Sequence, residues 1–274
     1  MDGILIIDKP AGMTSHDVVN FLRKKYKQKK FGHSGTLDPQ ATGVLVVLCG
    51  KACKALQFLN DTDKEYIGQV RFGYSTTTDD IWGDTLESKP INLDFDYKNE
   101  LNKFIGKQKQ LVPKISNKKV NGMKLMDYQR KGLEVPEVYS DIEIYSIDPL
   151  ENYKFKVFCS SGTYVRSICR DLALHTNNLG CMSYLRRTKI GRFSIDQAYT
   201  LEDLDYVTPS LYSISEVLDH LEMIEYPNVN DVYQGKRIQL HTNNNLVCIT
   251  QNKEPIAIYE RESNSTFKSK RGLW

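Results

Sequence analysis

From Lys64 to Phe72 the chain alternates, with Tyr66, Gly68, Val70 and Phe72 on one face and Ile67, Gln69 and Arg71 on the other. Successive side chains of an extended backbone point to opposite sides, so this pattern predicts a strand buried on one face only. Tyr153, Phe155, Val157 and Cys159 repeat the period of two. Ser160-Ser161-Gly162-Thr163 then turns the chain into a helix with Val165, Ile168 and Leu172 on one side. Gly3 to Ile7 reads as a short buried strand, ended by Lys9-Pro10-Ala11-Gly12. Thr14 or Ser15 is placed to cap a helix carrying Val18, Leu22 and Tyr26. Val44 to Leu48 is apolar and β-branched, as a central strand would be, and Lys51 to Leu59 reads as a short helix. Strands and helices mix without the βαβ alternation of a doubly wound sheet, which puts the fold in the α+β class.

At 274 residues the chain has room for one large domain and a small one. The texture changes near residue 221, where Gly235 and the apolar stretches Leu246 to Thr250 and Ile256 to Tyr259 suggest a small β-rich C-terminal domain, residues 221–274. The longest apolar run, Val44 to Cys49, is far too short to span a bilayer. The start Met1-Asp2-Gly3-Ile4 lacks the basic and apolar regions of a secretory signal, so a cytoplasmic protein is expected. Six scattered cysteines form no CxxC pair and have no histidines at zinc spacing, so we expect reduced thiols and no metal site.

Net charge is only +3, but it is distributed unevenly. Residues 21–30 carry six bases and no acid, and residues 107–131 carry eight bases against Asp127 alone. Residues 79–100 run the other way, with seven acids and two lysines. Two basic patches on a near-neutral chain fit a localised polyanion partner, and they equally fit two solvated faces. Residues 107–140 lack a clean period and read as an excursion from the core.

Between residues 32 and 43, Gly32, Gly35 and Gly43 allow backbone that other residues avoid, and Pro39 biases Asp38 toward extended conformation. A carboxylate on a tight loop before a core strand suits a cleft. A phosphate cradle is disfavoured because the Lys-Ser/Thr ending of a P-loop is missing. On loop chemistry alone an Asp-Pro turn is the commoner outcome.

Four segments together resemble the TruB family of pseudouridine synthases: Lys9-Pro10-Ala11-Gly12-Met13-Thr14-Ser15, Gly32 to Gly43, Ser161-Gly162-Thr163-Tyr164-Val165-Arg166 and Leu185-Arg186-Arg187-Thr188. Asp63-Lys64-Glu65-Tyr66, Asp79-Asp80-Ile81-Trp82-Gly83 and Lys189 to Phe193 extend the likeness, in order, over roughly residues 3 to 200. The family converts uridine 55 in the T-loop of tRNA to pseudouridine, an isomerisation. The resemblance therefore implies a mixed-sheet catalytic domain over residues 1–220, with a basic thumb insertion at about 107–140. It further implies a small PUA-like RNA-binding domain over 221–274.

By motif position the essential aspartate is Asp38, which in the family either attacks the nucleoside or removes a sugar proton. Arg166 matches the arginine that pairs with it, and a guanidinium neighbour orients a carboxylate and keeps it ionised. Tyr66 matches a tyrosine stacked on the target base and linked to proton transfer. Tyr164 and Leu185 match positions lining the uracil pocket, and His33 matches a histidine that fills the space left by the extruded base. The residues alone leave each of these open to a packing role. The reaction moves no electrons and transfers no group to a second molecule, so no cofactor or metal is expected.

The expected partner is the tRNA T-stem-loop, with no membrane, no guide RNA and no obligatory protein, and the expected state is a monomer. Two other readings stay open: a relative working inside a guide-RNA particle, and a non-catalytic RNA-binding protein on the same scaffold. The insertion departs from the family pattern at Gln110-Leu111-Val112-Pro113-Lys114-Ile115-Ser116-Asn117, which has one proline and one aromatic fewer than usual, and Ser34 stands where threonine is usual.

Overall fold

The structure is a computed structural model that describes residues 1–60 and 62–274. It divides into two compact units, one of Met1–Pro39, Leu45–Asp61 and Asp196–Trp274, the other of Gln40–Val44 and Thr62–Ile195. No helix among the described residues is long and apolar enough to cross a membrane.

The first unit opens with β1 (Gly3–Lys9), α1 (Ser15–Lys25), β2 (Phe31–Ser34) and most of β3 (Thr42–Cys49). Thr14 caps α1 as expected: its side chain accepts from the Asp17 amide while Asp17 accepts from the Thr14 amide. Such a reciprocal cap is worth about 1 kcal/mol. Val18, Val19 and Leu22 then pack on Leu5, Ile7, Leu45 and Val47, all essentially inaccessible to solvent. At ~1.5–3 kcal/mol per buried aliphatic side chain, this packing outweighs the cap.

Two local expectations are corrected. Residues 31–34 are a strand antiparallel to β3, from Phe31 opposite Cys49 to Ser34 opposite Val46, so the glycine-rich loop is shorter than its composition implies. Residues 50–58 form two 3₁₀ turns, Gly50–Lys54 and Leu56–Phe58, closed by bonds such as Ala55 N–H to Ala52 O at 2.9 Å. Turns this short gain nothing from the wider α repeat.

The second unit carries β4 (Lys64–Phe72), the hairpin β5 (Tyr74–Thr76)–β6 (Thr85–Ser88), α2 (Tyr97–Asn102) and β7 (Gly106–Leu111). The hairpin β8 (Lys119–Val120)–β9 (Met123–Lys124) and α3 (Leu125–Arg130) follow, then β10 (Tyr139–Pro149), β11 (Lys154–Cys159), α4 (Val165–His175), β12 (Gly180–Ile190) and β13 (Phe193–Ser194). Its sheet runs β12-β4-β11-β10-β7, all antiparallel, while Thr42 and Gly43 of β3 pair in parallel with Arg186 and Arg187. The sheet is therefore mixed, as predicted. α4 covers one face through Val165, Ile168, Cys169 and Leu172. Gly68 permits this contact, since a Cβ there would lie 2.8 Å from both Phe155 and Val165. Of the expected insertion, residues 107–111 and 139–140 lie on sheet strands, and residues 112–138 leave the sheet.

The chain ends within the first unit as α5 (Ile214–Val217), β14 (Glu222–Glu225), α6 (Val229–Tyr233), β15 (Ile238–Gln239), β16 (Leu246–Gln251), β17 (Glu254–Ser263) and β18 (Thr266–Gly272). These strands make a sheet of their own in the order β14-β16-β17-β18-β15, around Val247, Ile249, Ala257, Tyr259 and Phe267.

Candidate active site

Asp38 and His33 belong to the first unit; Tyr66, Tyr164, Arg166 and Leu185 belong to the second. His33 is half-buried on β2 opposite Val47. Beyond β2 the chain turns through Gly35, whose φ of +79° favours glycine. Leu37 is buried and Asp38 is half-buried.

The backbone on both sides of Asp38 is pinned. The Leu37 amide donates to Ser15 Oγ at 2.9 Å, and Pro39 O accepts from the Gly12 amide and from Lys9 Nζ, each at 3.0 Å. Lys9 is fully buried, and its ammonium also donates to Pro10 O at 2.7 Å and Met13 O at 2.6 Å. Three donors thus meet three carbonyls, which offsets the cost of burying an ammonium. The Lys9–Ser15 motif is therefore a clasp on the aspartate loop.

In the second unit Tyr66 lies on β4 between Val157 of β11 and Arg187 of β12, with 7% of its surface exposed. Directly opposed residues of an antiparallel pair share a face. Tyr66 and Gly68 of β4 and their partners Arg187 and Leu185 of β12 therefore line the face that α4 covers. Arg187 is buried, bonds Val44 O through Nε at 2.8 Å, and is hydrogen-bonded to the side chain of Tyr66. Burial pulls its guanidinium below the ordinary arginine range, and the phenol opposes that pull. Gly43 makes the β3–β12 approach possible: its φ is +103°, and a Cβ would stand 2.1 Å from Arg187 O.

Tyr164 is the residue before α4, and Arg166 lies in the first turn with 6% of its surface exposed. The Arg166 guanidinium donates to Thr78 O at 2.9 Å and Ile115 O at 3.0 Å, and stands 3.8 Å from the Asp80 carboxylate. One turn further on, Arg170 pairs with Asp79 at 2.9 Å. Burial nevertheless pushes the Asp79 carboxyl above its ordinary range. Asp79 and Asp80 are thus internal partners of two arginines, a role that neither the acidic run nor the motif containing them had assigned. Asp80, Arg187 and Lys9 carried no assigned role in the sequence, because the partners of the first two are distant in the chain.

The basic runs also resolve. Arg23 bonds Lys29 O and Phe31 O, while Lys107 and Lys109 face Glu143 and Asp141 in register. Lys114, Lys119 and Lys131 remain exposed. Burial pushes the thiols of Cys159 and Cys181 up to about 11, which keeps them protonated at neutral pH. No group of three or more His, Cys, Asp or Glu that could hold a metal ion occurs among the described residues.

Comparison with known proteins bears on this arrangement. Residues 23–165 match the model of the TruB family pseudouridylate synthase N-terminal domain, and residues 166–222 match that of the tRNA pseudouridylate synthase B C-terminal domain. The tRNA pseudouridine synthase B of Alkaliphilus oremlandii is 41% identical over 83% of this chain and 75% of its own length. The Bacillus subtilis protein of the same name is 40% identical over 75% of this chain and 70% of its own. Among solved structures, one from a Cbf5-Nop10-Gar1 complex matches with a TM-score of 0.68 and 26% identity, covering 96% of this chain and 79% of the other. Another, from an H/ACA RNP bound to a substrate RNA, matches with a TM-score of 0.69 and 22% identity over 99% of this chain and 85% of the other.

Proposed function

This chain belongs to the TruB family of pseudouridylate synthases, and from that premise we propose that it isomerises uridine 55 in the T-loop of tRNA to pseudouridine, acting alone as a cytoplasmic monomer. The observation that best supports a working enzyme is the clasp of Lys9, Gly12 and Ser15, which fixes the backbone on either side of Asp38. A half-buried aspartate held this closely is preorganised for chemistry at one place.

The reaction breaks the bond from ribose C1′ to uracil N1, turns the uracil, joins C1′ to C5 and removes the C5 proton. Asp38 supplies the carboxylate, by attack on the nucleoside or by removal of a sugar proton. Arg166 aims that carboxylate, a role carried by its place in the family motif. Tyr66 stacks on the uracil and assists proton transfer, its ring fixed by Arg187. Tyr164, Leu185 and His33 shape the space for the base. Extruding the uridine costs a few kcal/mol, and stacking on an aromatic ring returns about 1–3 kcal/mol of it.

Residues 112–138 act as a basic thumb over the T-stem, and the sheet of residues 222–272 serves as a PUA-like RNA contact. Replacing Lys114, Lys119 and Lys131 with alanine is expected to lower the slope of log affinity against log salt by about 0.7–0.9 for each phosphate left without its lysine. Filter binding across a salt series measures this, and an unchanged slope removes the thumb as a phosphate contact.

The reading itself is tested by mapping modified bases in a T-arm stem-loop transcript incubated with the purified chain alone. Pseudouridine at position 55 is the expected result. An unmodified transcript overturns the enzyme, and a strict need for guide RNA overturns stand-alone action.

A further inference from the structure

Gln110 lies on β7, the last strand of its sheet, with only 4% of its surface exposed. Its side chain faces the start of α4 instead of solvent. Oε1 accepts from the Tyr164 amide at 2.8 Å, and Nε2 donates to Tyr164 O at 3.1 Å. The side-chain amide thus pairs with one residue's N–H and C=O as a neighbouring strand would. It also satisfies a part-buried amide at a helix start that has no side-chain cap.

Neighbouring contacts give this pairing its mechanical meaning. Leu111 O accepts from Ser167 Oγ at 2.7 Å and from Arg170 at 3.1 Å, so α4 grips the end of β7 along one face. Five residues beyond Gln110, Ile115 O accepts from Arg166 itself. Between them Val112 N–H bonds Val138 O at 2.9 Å and closes the neck of the basic excursion. The segment from Gln110 to Ile115 therefore runs along the first turn of α4, and Arg166 is tied to the excursion through a main-chain carbonyl.

We propose that Gln110 is a positioning residue for the reaction: by pairing with the Tyr164 peptide it anchors the root of the 112–138 excursion to the helix that carries Arg166, and so sets where that guanidinium stands. This rests on the role given to Arg166 above. Movement of the excursion, as when it takes up RNA, would pull on Ile115 O; with Gln110 in place that pull is borne by the Tyr164 pairing. Misplacement of a catalytic group by about 1 Å costs up to ~100-fold in rate.

The test uses the full chain and a T-arm stem-loop transcript. Gln110→Met keeps the volume and removes both bonds. Its single-turnover rate is expected to fall about 10- to 100-fold, with RNA affinity within about twofold of wild type. In an Arg166→Lys background the same substitution is expected to add less than about a twofold loss, because two residues acting through one group are not additive. An unchanged rate in folded Gln110→Met, or an equal fold-loss in both backgrounds, overturns the proposal. Should Gln110→Met fail to fold, Gln110→Glu runs the same cycle, since it keeps the acceptor for the Tyr164 amide and replaces the donor to Tyr164 O with a carboxylate oxygen. If wild type forms no pseudouridine, the functional reading has failed, not the assignment of Gln110.

Discussion

Replacing Asp38 with asparagine is expected to abolish pseudouridine formation, by ~10⁴-fold or more, while leaving RNA affinity within about twofold. Asparagine has the same shape, and the bonds from Ser15, Gly12 and Lys9 reach the Leu37 and Pro39 backbone, not the side chain. The loop therefore keeps its course, and only the negative charge and the basic oxygen are lost. Neither reaction route survives that loss, because an amide is too poor a nucleophile and too weak a base. Affinity should hold or tighten slightly, since removing an anion near a polyanion removes repulsion. Single-turnover conversion of a T-arm transcript, alongside a binding titration, measures both. A fully active variant would show that the carboxylate lies elsewhere.

The second large effect concerns Lys9, and it is one of stability. Lys9→Met removes a buried ammonium whose three donors serve Pro10 O, Met13 O and Pro39 O. Each lost bond to a charged group costs about 1.5–3 kcal/mol, reduced here because the carbonyls are only part-buried and water can reach them. A net loss of about 3 kcal/mol is expected, which lowers Tm by ~6–12 °C for a chain of this size. Arginine is not expected to rescue it, because a planar fork does not fit three carbonyls gathered round a single ammonium. The Leu37 amide should also exchange faster with solvent as its loop loosens. Calorimetry and hydrogen exchange check the two effects, and an unchanged Tm would show that the clasp is not structural.

Legibility in the sequence followed the physics of each element. Lys64–Phe72 was readable because one face of β4 is buried and the other is not, so composition alternates with the pleat. β12 was not readable, because shifts of register between Met182 and Tyr184 and between Arg187 and Lys189 break its alternation. It also carries a buried arginine that sequence alone assigns to the surface. β10 was not read as a strand, and its first two residues fell in the segment of no clear period, although Ser140, Ile142 and Ile144 are all buried.

The site divided in the same way. Asp38, Tyr66 and Arg166 stood out through motifs whose order along the chain matches the family. Asp80 lay within one of those motifs but was given no role, because its partner Arg166 is remote in sequence. Gln110 was visible only as a letter in a motif. That its amide stands in for a strand against Tyr164 is a fact of three dimensions.

Gly43 is a position where inheritance and chemistry are easily confused. The space beside it is already filled by the Arg187 main chain, 2.1 Å from where a methyl group would begin. A lineage that tries any other amino acid at residue 43 must first push apart a pair of strands, one of which holds the arginine behind Tyr66. Invariance there would record a shortage of room, and a survey of tolerated substitutions would rank this glycine among the least replaceable positions although it has no side chain to take part in chemistry.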